Sequence, residues 1–359
     1  MRKLASIEHI WQIDPIKDAD KIETVHVLGW TCVAEKGDFK KGDLAVYFEI
    51  DSFLPVNEHF EFLRTKSYKK NDIMGEGMLL KTMKFRGQYS QGLVMPLSEF
   101  PEIDTNGKSE DELVGMDVTD ILGVRKWEIE ERTTGSGTIV AERPAFIPKT
   151  DETRIQSEPD LLKEFAGKPY YITTKMDGSS HSIGIDEDGK VYVCGHNYEY
   201  ADDGKSGFYE YLKKNDIIYR LRCYKENKVY NTIVLQGEFC APGIQANPIG
   251  LVRPHWFVFT VIVNGKRLGL SGMRKVVKAL DVEMVPVVEE GEEFPYISAE
   301  TLLTKADGMY EHYDGMKTDH AREGLVIRPK EPVYSNILGT NLSMKVVSNR
   351  YLAKKAKKE

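Results

Sequence analysis

The first 130 or so residues alternate apolar and polar positions in short runs broken by turn residues. Ile22-Glu-Thr-Val-His-Val-Leu28 alternates, and Leu44-Ala-Val-Tyr-Phe-Glu-Ile50 follows a turn at Lys41-Gly42-Asp43. Met78-Leu-Leu-Lys-Thr-Met-Lys-Phe85 and Gly92-Leu-Val-Met-Pro-Leu97 flank a Gly-containing link. Residues two apart share a strand face, so these runs predict several short strands and a small β-barrel or sandwich. The small, polar, Pro-punctuated stretch Thr133-Thr-Gly-Ser-Gly-Thr138, up to Pro144 and Pro148, reads as an interdomain connection. Ser157 and Pro159 carry helix-start signals for a helix through Leu161, Leu162 and Phe165, stopping near Gly167. From Tyr170 to about Tyr351 strand patterns return, interleaved with helical ones at Gly207–Leu221 and Gly272–Leu280. That half reads as α+β, with antiparallel sheets and peripheral helices. The expected division is 1–140 and 141–359, and the sequence shows neither an internal repeat nor a low-complexity segment.

A chain of 359 residues accommodates two domains, and 41% apolar with 29% charged residues is a globular composition. No apolar run approaches the roughly 18 residues that span a membrane. The N-terminus, Met1-Arg-Lys-Leu-Ala-Ser-Ile-Glu-His9, meets polar residues too early for a signal-peptide core. Cys32, Cys194, Cys223 and Cys240 form no CxxC pair, which predicts reduced thiols, no zinc site and an intracellular, non-secreted protein. The net charge of −7 argues against a nucleic-acid partner unless basic residues gather on one face. Two gatherings exist: Arg64, Lys66, Lys69, Lys70, Lys81, Lys84 and Arg86, and the run Arg350-Tyr-Leu-Ala-Lys-Lys-Ala-Lys-Lys358.

The chemistry concentrates around Thr173-Thr-Lys-Met-Asp-Gly-Ser-Ser180. Lys175 stands at the end of a β-type run, beside a Gly-Ser turn whose small residues admit a ligand to the backbone. Asp177 lies two residues on, on the same face of an extended chain. Four signals follow: Leu235-Gln-Gly-Glu-Phe239, with Gly237 beside Glu238; Trp256-Phe-Val-Phe-Thr-Val-Ile262, with Phe257 and Phe259 on one face; Glu323-Gly-Leu-Val-Ile-Arg-Pro329; and Ser343-Met-Lys-Val-Val347. Each alone reads as a strand carboxylate, core aromatic or edge lysine. Together they suit nucleotide transfer. A lysine beside bound cations has a lowered pKa and attacks phosphorus as a free amine. Asp177, Glu238 and Glu323 offer the oxygen ligands that hard divalent metals take, an aromatic ring offers a platform for a base, and Lys345 and Arg154 offer cations for phosphates.

Lys-Met-Asp-Gly at 175–178, Gly-Glu at 237–238, Phe-Val-Phe at 257–259, Glu-Gly-Leu-Val-Ile at 323–327 and Met-Lys-Val at 344–346 resemble the ordered motifs I, III, IIIa, IV and V of the covalent nucleotidyltransferases. These include ATP-dependent DNA ligases, RNA ligases and mRNA capping enzymes. DNA ligases and capping enzymes carry an OB domain and a sixth motif after motif V, whereas here the chain ends shortly past Lys345 and the barrel-like module comes first. That order, with the upstream Glu-Thr-Arg-Ile-Gln, resembles the nick-sealing RNA ligases with an N-terminal OB domain. The resemblance implies an OB-type β-barrel over 1–140, binding nucleic acid through Arg86, Lys84 and nearby lysines. It also implies an α+β, ATP-grasp-like adenylyltransferase domain over 141–359.

The implied reaction is ATP-dependent. Lys175 takes AMP from ATP, AMP passes to an RNA 5′-phosphate, and a 3′-hydroxyl displaces it. In the implied roles Lys175 and Lys345 are catalytic, and Asp177, Glu238 and Glu323 hold Mg²⁺ or Mn²⁺. Phe259 or Phe257 stacks on adenine, Lys345 contacts the α-phosphate and Arg154 the outer phosphates, while Thr174, Gly178 and His196 complete the nucleotide site. The implied partner is nicked duplex RNA or an RNA-containing hybrid, bound by a monomer away from membranes. Three departures stand out. Gly195-His196-Asn197 replaces the usual Ser-Arg-Asn, motif V reads Ser343-Met344-Lys345 where Lys-x-Lys is common, leaving Arg328 as either a substitute cation or a plain strand-end arginine, and Thr174 precedes the nucleophile where many relatives have Glu. The competing readings are a DNA nick ligase, a GTP-dependent guanylyltransferase and a non-catalytic nucleic-acid binder on the same scaffold.

Overall fold

The computed structural model describes residues 2–127, 137–310 and 320–358; most of the expected connection at Thr133–Thr138 lies outside them. The chain divides into two compact units. One is Met1–Glu130 with Ile155–Pro159 and Asn349–Glu359, the other Glu131–Arg154 with Asp160–Ser348. The expected cut at 140 thus falls inside the second unit, and two later segments return to the first. The reasons are local: Gly29 N–H donates to Gln156 O at 2.8 Å, and the helix Asn349–Lys358 packs on the strand Thr82–Phe85. At Gly29 a Cβ would meet Gln156 Cα at 2.7 Å, so only glycine admits that approach.

In the first unit five antiparallel strands lie in the order Leu93–Pro96, Leu44–Phe48, Ala5–Pro15, Ile22–Val27, Trp30–Glu35. Ala5–Pro15 serves two partners, Leu44–Phe48 through its first half and Ile22–Val27 through its second, with a register shift between Ile10 and Gln12 that bends it. The far edge is drawn back toward the chain that leads into Leu93–Pro96. Val33 N–H donates to Ser90 Oγ (3.0 Å) and Thr31 Oγ1 to Tyr89 O (3.1 Å). The core holds Ile7, Val46, Phe48, Phe60 and Phe100, with Phe48 edge-on to Phe60 at 5.2 Å. The run Met78–Phe85 is two strands rather than one. Gly75–Leu79 pairs with Ser52–Leu54 and Tyr68–Asn71, and Thr82–Phe85 forms a separate hairpin with Gln88–Gln91. Arg86 and Gly87, at φ +46° and +91°, make its tight turn.

Among the described residues the second unit holds two main antiparallel sheets and a two-stranded ribbon of Tyr334–Ser335 with Thr340–Asn341. The larger runs Ile139–Glu142, Tyr198–Tyr200, Val191–Cys194, Ser179–Ile185, Ile233–Cys240, His255–Val263, Lys266–Arg267, with Glu283–Met284 added in parallel to His255–Val263. The smaller runs Val287–Gly291, Tyr170–Lys175, Gly324–Pro329, Met344–Val347. One face of the larger sheet presents Ile183, Leu235, Trp256 and Val261 to Phe208, Leu212, Leu221, Met273 and Val277 on three helices, Gly207–Lys214, Ile217–Asn227 and Leu270–Ala279. Each such side chain contributes roughly 1.5–3 kcal/mol by leaving water. The expected helix Gly207–Leu221 is two helices, because Asp216 adopts φ +53° between them. The strands flanking Lys175 do not form a hairpin: Tyr170–Lys175 belongs to the smaller sheet and Ser179–Ile185 to the larger. Met176-Asp177-Gly178 is therefore a crossing between sheets.

His181 lies beneath that crossing, 6% exposed, with its ring 4.6 Å from Phe208 and 5.8 Å from Phe239. Ser179 O can only accept, so the 2.9 Å contact makes Nδ1 the protonated nitrogen. Burial holds the imidazole down at about 4 against an ordinary 6.5. The unfolded chain therefore binds a proton between pH 6.5 and 4 that the folded chain refuses, and stability is lost as pH falls through that window. From pH 7 to pH 5 the His181 contribution amounts to about 2 kcal/mol. Thermal unfolding of wild type at these two pH values should show a larger drop than His181→Gln; equal drops would contradict the assignment.

Candidate active site

Lys175 is the last residue of its strand and pairs in register with Gly324, which brings the next acidic residue to its side. Lys175 Nζ donates to Glu323 Oε2 at 2.7 Å, with side-chain exposures of 26% and 14%. The register requires glycine: a Cβ on Gly324 would lie 2.1 Å from Val346 O. Glu323 is held by its own backbone, whose N–H donates to Tyr310 Oη at 3.1 Å while its carbonyl accepts from Ser348 N–H at 2.9 Å.

On the facing sheet Glu238 pairs with Ser180 on one side and Phe257 on the other. Its Oε1 accepts from Gly178 N–H at 3.1 Å, and a Cβ on Gly178 would meet Phe239 O at 2.5 Å. The motif glycine is thus fixed by close packing, and its amide tethers the crossing to the carboxylate.

Burial pushes the Glu238 carboxyl up to about 8; Lys175 and the Gly178 amide oppose that, and the charges of Glu323 and Asp177 reinforce it. Burial would lower the Lys175 amine, but Glu323, Glu238 and Asp177 outweigh it and raise the pKa. The lowered lysine expected beside bound cations concerns the metal-bound site; the carboxylates by themselves favour the ammonium. Asp177 acts on both groups through its charge.

A cavity of about 190 Å³ opens over Lys175 between the two sheets. It is lined by Thr174, Lys175, Val326, Arg328 and Lys345 from the smaller sheet, by Ser180, Glu238 and Phe259 from the larger, and by Thr150, Asp151, Glu152 and His196 from adjoining segments. Of the two aromatic candidates, Phe259 lines the cavity. Phe257 is 1% exposed, stacked on His255 (5.8 Å, 7°) and packed with Met176, Leu251 and Val285. Thr174 is 2% exposed; its hydroxyl makes no hydrogen bond among the described residues, and its N–H donates to Pro286 O. His196 Nε2 lies 3.6 Å from Asp151 Oδ2. Arg154 is not part of the lining; its backbone bridges that of Lys345, whose N–H donates to Thr153 O at 2.8 Å.

Arg328 is committed to structure. Its guanidinium donates to Glu152 Oε1 (2.5 Å), Ser343 Oγ (3.3 Å), Thr260 Oγ1 (3.3 Å) and the Phe259 carbonyl, and sits over the Phe259 ring at 5.8 Å. It therefore braces the aromatic wall. Two contributors were missed in the sequence. Glu152 finds Arg328 across 176 residues of chain, a pairing with no local signal. Arg143 donates to Gly195 O (2.6 Å), His196 O (3.0 Å), Pro148 O (2.8 Å) and Ser182 Oγ (3.0 Å), clamping the two loops that bring His196 and Asp151 to the cavity.

No group of three His, Cys, Asp or Glu side chains converges to hold a metal among the described residues. Asp177, Glu238 and Glu323 therefore do not form a ready cage. The acidic side chains gathered around Lys175, with Glu238 lifted chiefly by burial, still fit a hard cation. Mg²⁺-like ions are commonly held by one or two carboxylates plus phosphates and water.

An RNA ligase family model matches residues 168–347 and an OB-fold domain model matches residues 4–97. Among solved structures, a mutant Naegleria gruberi RNA ligase without ligand is 34% identical, covers 100% of this chain and 99% of that one, and superposes with a TM-score of 0.85. This chain belongs to the RNA ligase family. A second mutant of the Naegleria gruberi enzyme, with ATP and Mn, is 34% identical over 99% and 100% of the two chains, with a TM-score of 0.85. The same enzyme with PPi gives 34% over 100% of both, again at 0.85. Comparison with curated proteins yields no match. As an RNA ligase it is built as the motif order implied, with an OB-fold module ahead of an α+β domain of antiparallel sheets. Among the described residues no helix is long and apolar enough to cross a membrane.

The two phenylalanines should separate experimentally. Phe257→Ala removes a buried ring and should cost about 3–5 kcal/mol in denaturant unfolding. Phe259→Ala, at a cavity wall, should cost less than half of that. Equal losses would contradict the placement.

Proposed function

We propose that this RNA ligase is ATP-dependent and seals 3′-hydroxyl/5′-phosphate nicks in duplex RNA or an RNA-containing hybrid through a lysyl-AMP intermediate. The observation that carries the reading is the Lys175 amine in a cavity walled by an aromatic ring, with a carboxylate 2.7 Å from its nitrogen. The Naegleria gruberi relative, solved with ATP and Mn, supports both the nucleotide and the metal.

In the first step Lys175 Nζ forms a bond to the α-phosphorus of ATP while the bond to the bridging oxygen breaks and pyrophosphate departs. The amine must first lose a proton, and Glu323 is hydrogen-bonded to receive it. Phe259 offers its face to adenine, and Lys345 offers its ammonium to the α-phosphate. A divalent cation held by Glu238 and Asp177, directly or through water, would shield the phosphate charge and offset the carboxylates that keep Lys175 protonated. The places of Thr174 and His196 in the cavity lining support nucleotide roles for them, whereas Gly178 would act through its amide on Glu238 and Arg154, beside Lys345, would reach outer phosphates from outside the lining. In the second step the RNA 5′-phosphate oxygen displaces Lys175 from phosphorus; in the third the 3′-hydroxyl displaces AMP. The OB-fold unit supplies the duplex-binding surface, and the enzyme acts as a monomer inside the cell.

Intact-mass measurement with ATP and Mg²⁺ or Mn²⁺ should show a gain of one AMP, absent in Lys175→Ala and at least a hundredfold slower in Glu323→Ala. An adduct retained by Lys175→Ala, or formed only with GTP, would overturn the proposal. Sealing assays that vary the sugar at each nick terminus should depend on a 2′-hydroxyl; full indifference would favour a DNA nick.

A further inference from the structure

The two basic gatherings lie far apart in the sequence, at a separation that local reading cannot bridge. In the first unit the hairpin end of one meets the other on a single face. The helix Asn349–Lys358 packs directly on Thr82–Phe85, the strand that leads into the Arg86-Gly87 turn. The helix is amphipathic in the expected sense: Leu352 is 8% exposed and turned inward, while Arg350, Lys354, Lys355 and Lys357 are exposed. On the hairpin Lys84 and Arg86 are exposed, and Lys84 Nζ lies 4.8 Å from the Tyr89 ring centroid.

This face gathers cations without acidic residues in its own segments. Some surface cations elsewhere have a carboxylate partner within a few residues of chain: Arg64 has Glu61, Lys163 has Asp160 and Lys213 has Glu210. Neither 81–92 nor 349–358 contains an acidic residue. Among the described residues Lys84, Arg86, Arg350, Lys354, Lys355 and Lys357 make no ion pair with a carboxylate. In a chain of net charge −7, six like charges gathered without counter-charge raise the local potential at a cost in self-repulsion. A polyanion relieves that cost. Arg350, Lys354 and Lys357 recur at helical spacing along one stripe, a linear array suited to a backbone of repeating phosphates and without the base-reading groups that sequence recognition needs.

We infer that the hairpin Thr82–Gln91 and the helix Asn349–Lys358 form one composite phosphate-binding face that grips the RNA duplex independently of its sequence. The inference rests on the RNA-sealing reading above and extends it from the nucleotide cavity to the strand that is sealed. It leaves the lysine chemistry alone: none of the six cations lines the cavity over Lys175.

The test uses the full chain in three forms: wild type, Lys84→Glu/Arg86→Glu, and Lys354→Glu/Lys357→Glu. Binding of a fluorescent nicked RNA duplex is measured by anisotropy over a series of salt concentrations, and AMP adduct formation with ATP is measured on the same samples. Each double variant should weaken duplex binding at least tenfold and flatten the log–log salt dependence by roughly one for each phosphate no longer neutralised. Adduct formation should stay within twofold of wild type, which shows that the variants fold. The neutral pair Lys354→Gln/Lys357→Gln should give an intermediate loss. Unchanged affinity and salt slope in the helix variant, with adduct formation intact, would overturn the composite face. So would anionic phospholipid vesicles that compete for wild type more strongly than unlabelled duplex RNA, because they would assign the face to a lipid surface. Failure of adduct formation in wild type would count against the sealing chemistry; the binding curves would still decide the face.

Discussion

The structure is organised around one ion pair, Lys175 to Glu323, set where the chain leaves one sheet for the other. The two residues meet only because their strands pair. Lys175 is delivered by the end of Tyr170–Lys175, and Glu323 by the start of its antiparallel neighbour. The pairing is possible because Gly324 lets the third strand, Met344–Val347, come within contact distance. Gly178 does the corresponding service on the other side, where its amide fastens the crossing to Glu238. Three short motifs that lie far apart in the chain therefore meet for a steric reason: each has a glycine or a strand end where backbone must approach backbone.

The same point explains the electrostatics. Three carboxylates surround a single ammonium, so the site carries excess negative charge; burial and that excess leave Glu238 near 8. Elsewhere in the lining of the same cavity the balance reverses. Glu152 sits between Arg328 and Arg267 at 2.5 and 3.8 Å, and its carboxyl stays below the usual range: burial alone would raise it, but the two guanidinium groups prevail. Arg328 also holds the Phe259 carbonyl and ring. The aromatic wall is thereby fixed by a buried, mutually satisfied pair, a geometry in which removing either partner would leave an uncompensated charge. The cavity thus joins a rigid, neutralised wall to a floor whose charge is unbalanced toward cations.

Much of this was legible in the sequence, and the exceptions have identifiable causes. The alternating runs at Ile22 and Leu44 became strands, the helix near Leu161 and Phe165 formed, and the motif residues Lys175, Glu238, Phe259 and Lys345 meet at one cavity. Alternation could not choose between Phe257 and Phe259. They share a strand face, and only the packing of Met176 and Leu251 over the former decides which ring is left at the wall. Met78–Phe85 looked continuous because its residues suit a strand throughout; the change of sheet near Leu80 is a tertiary choice. Asp216 broke a helix that periodicity joined, through a single left-handed residue. The Glu152–Arg328 pair, the Arg143 clamp and the return of the last helix to the first unit all depend on contacts distant in sequence, where no local pattern carries information.

The central claim is that the amine now bound to Glu323 is the group that faces the α-phosphate. The most direct measurement is a crystal structure with a non-hydrolysable ATP analogue and Mn²⁺. The account predicts the adenine against Phe259 and Lys175 Nζ within van der Waals reach of the α-phosphorus, opposite the pyrophosphate group. A nucleotide bound elsewhere, or one in this cavity with Lys175 turned away from phosphorus, would contradict it.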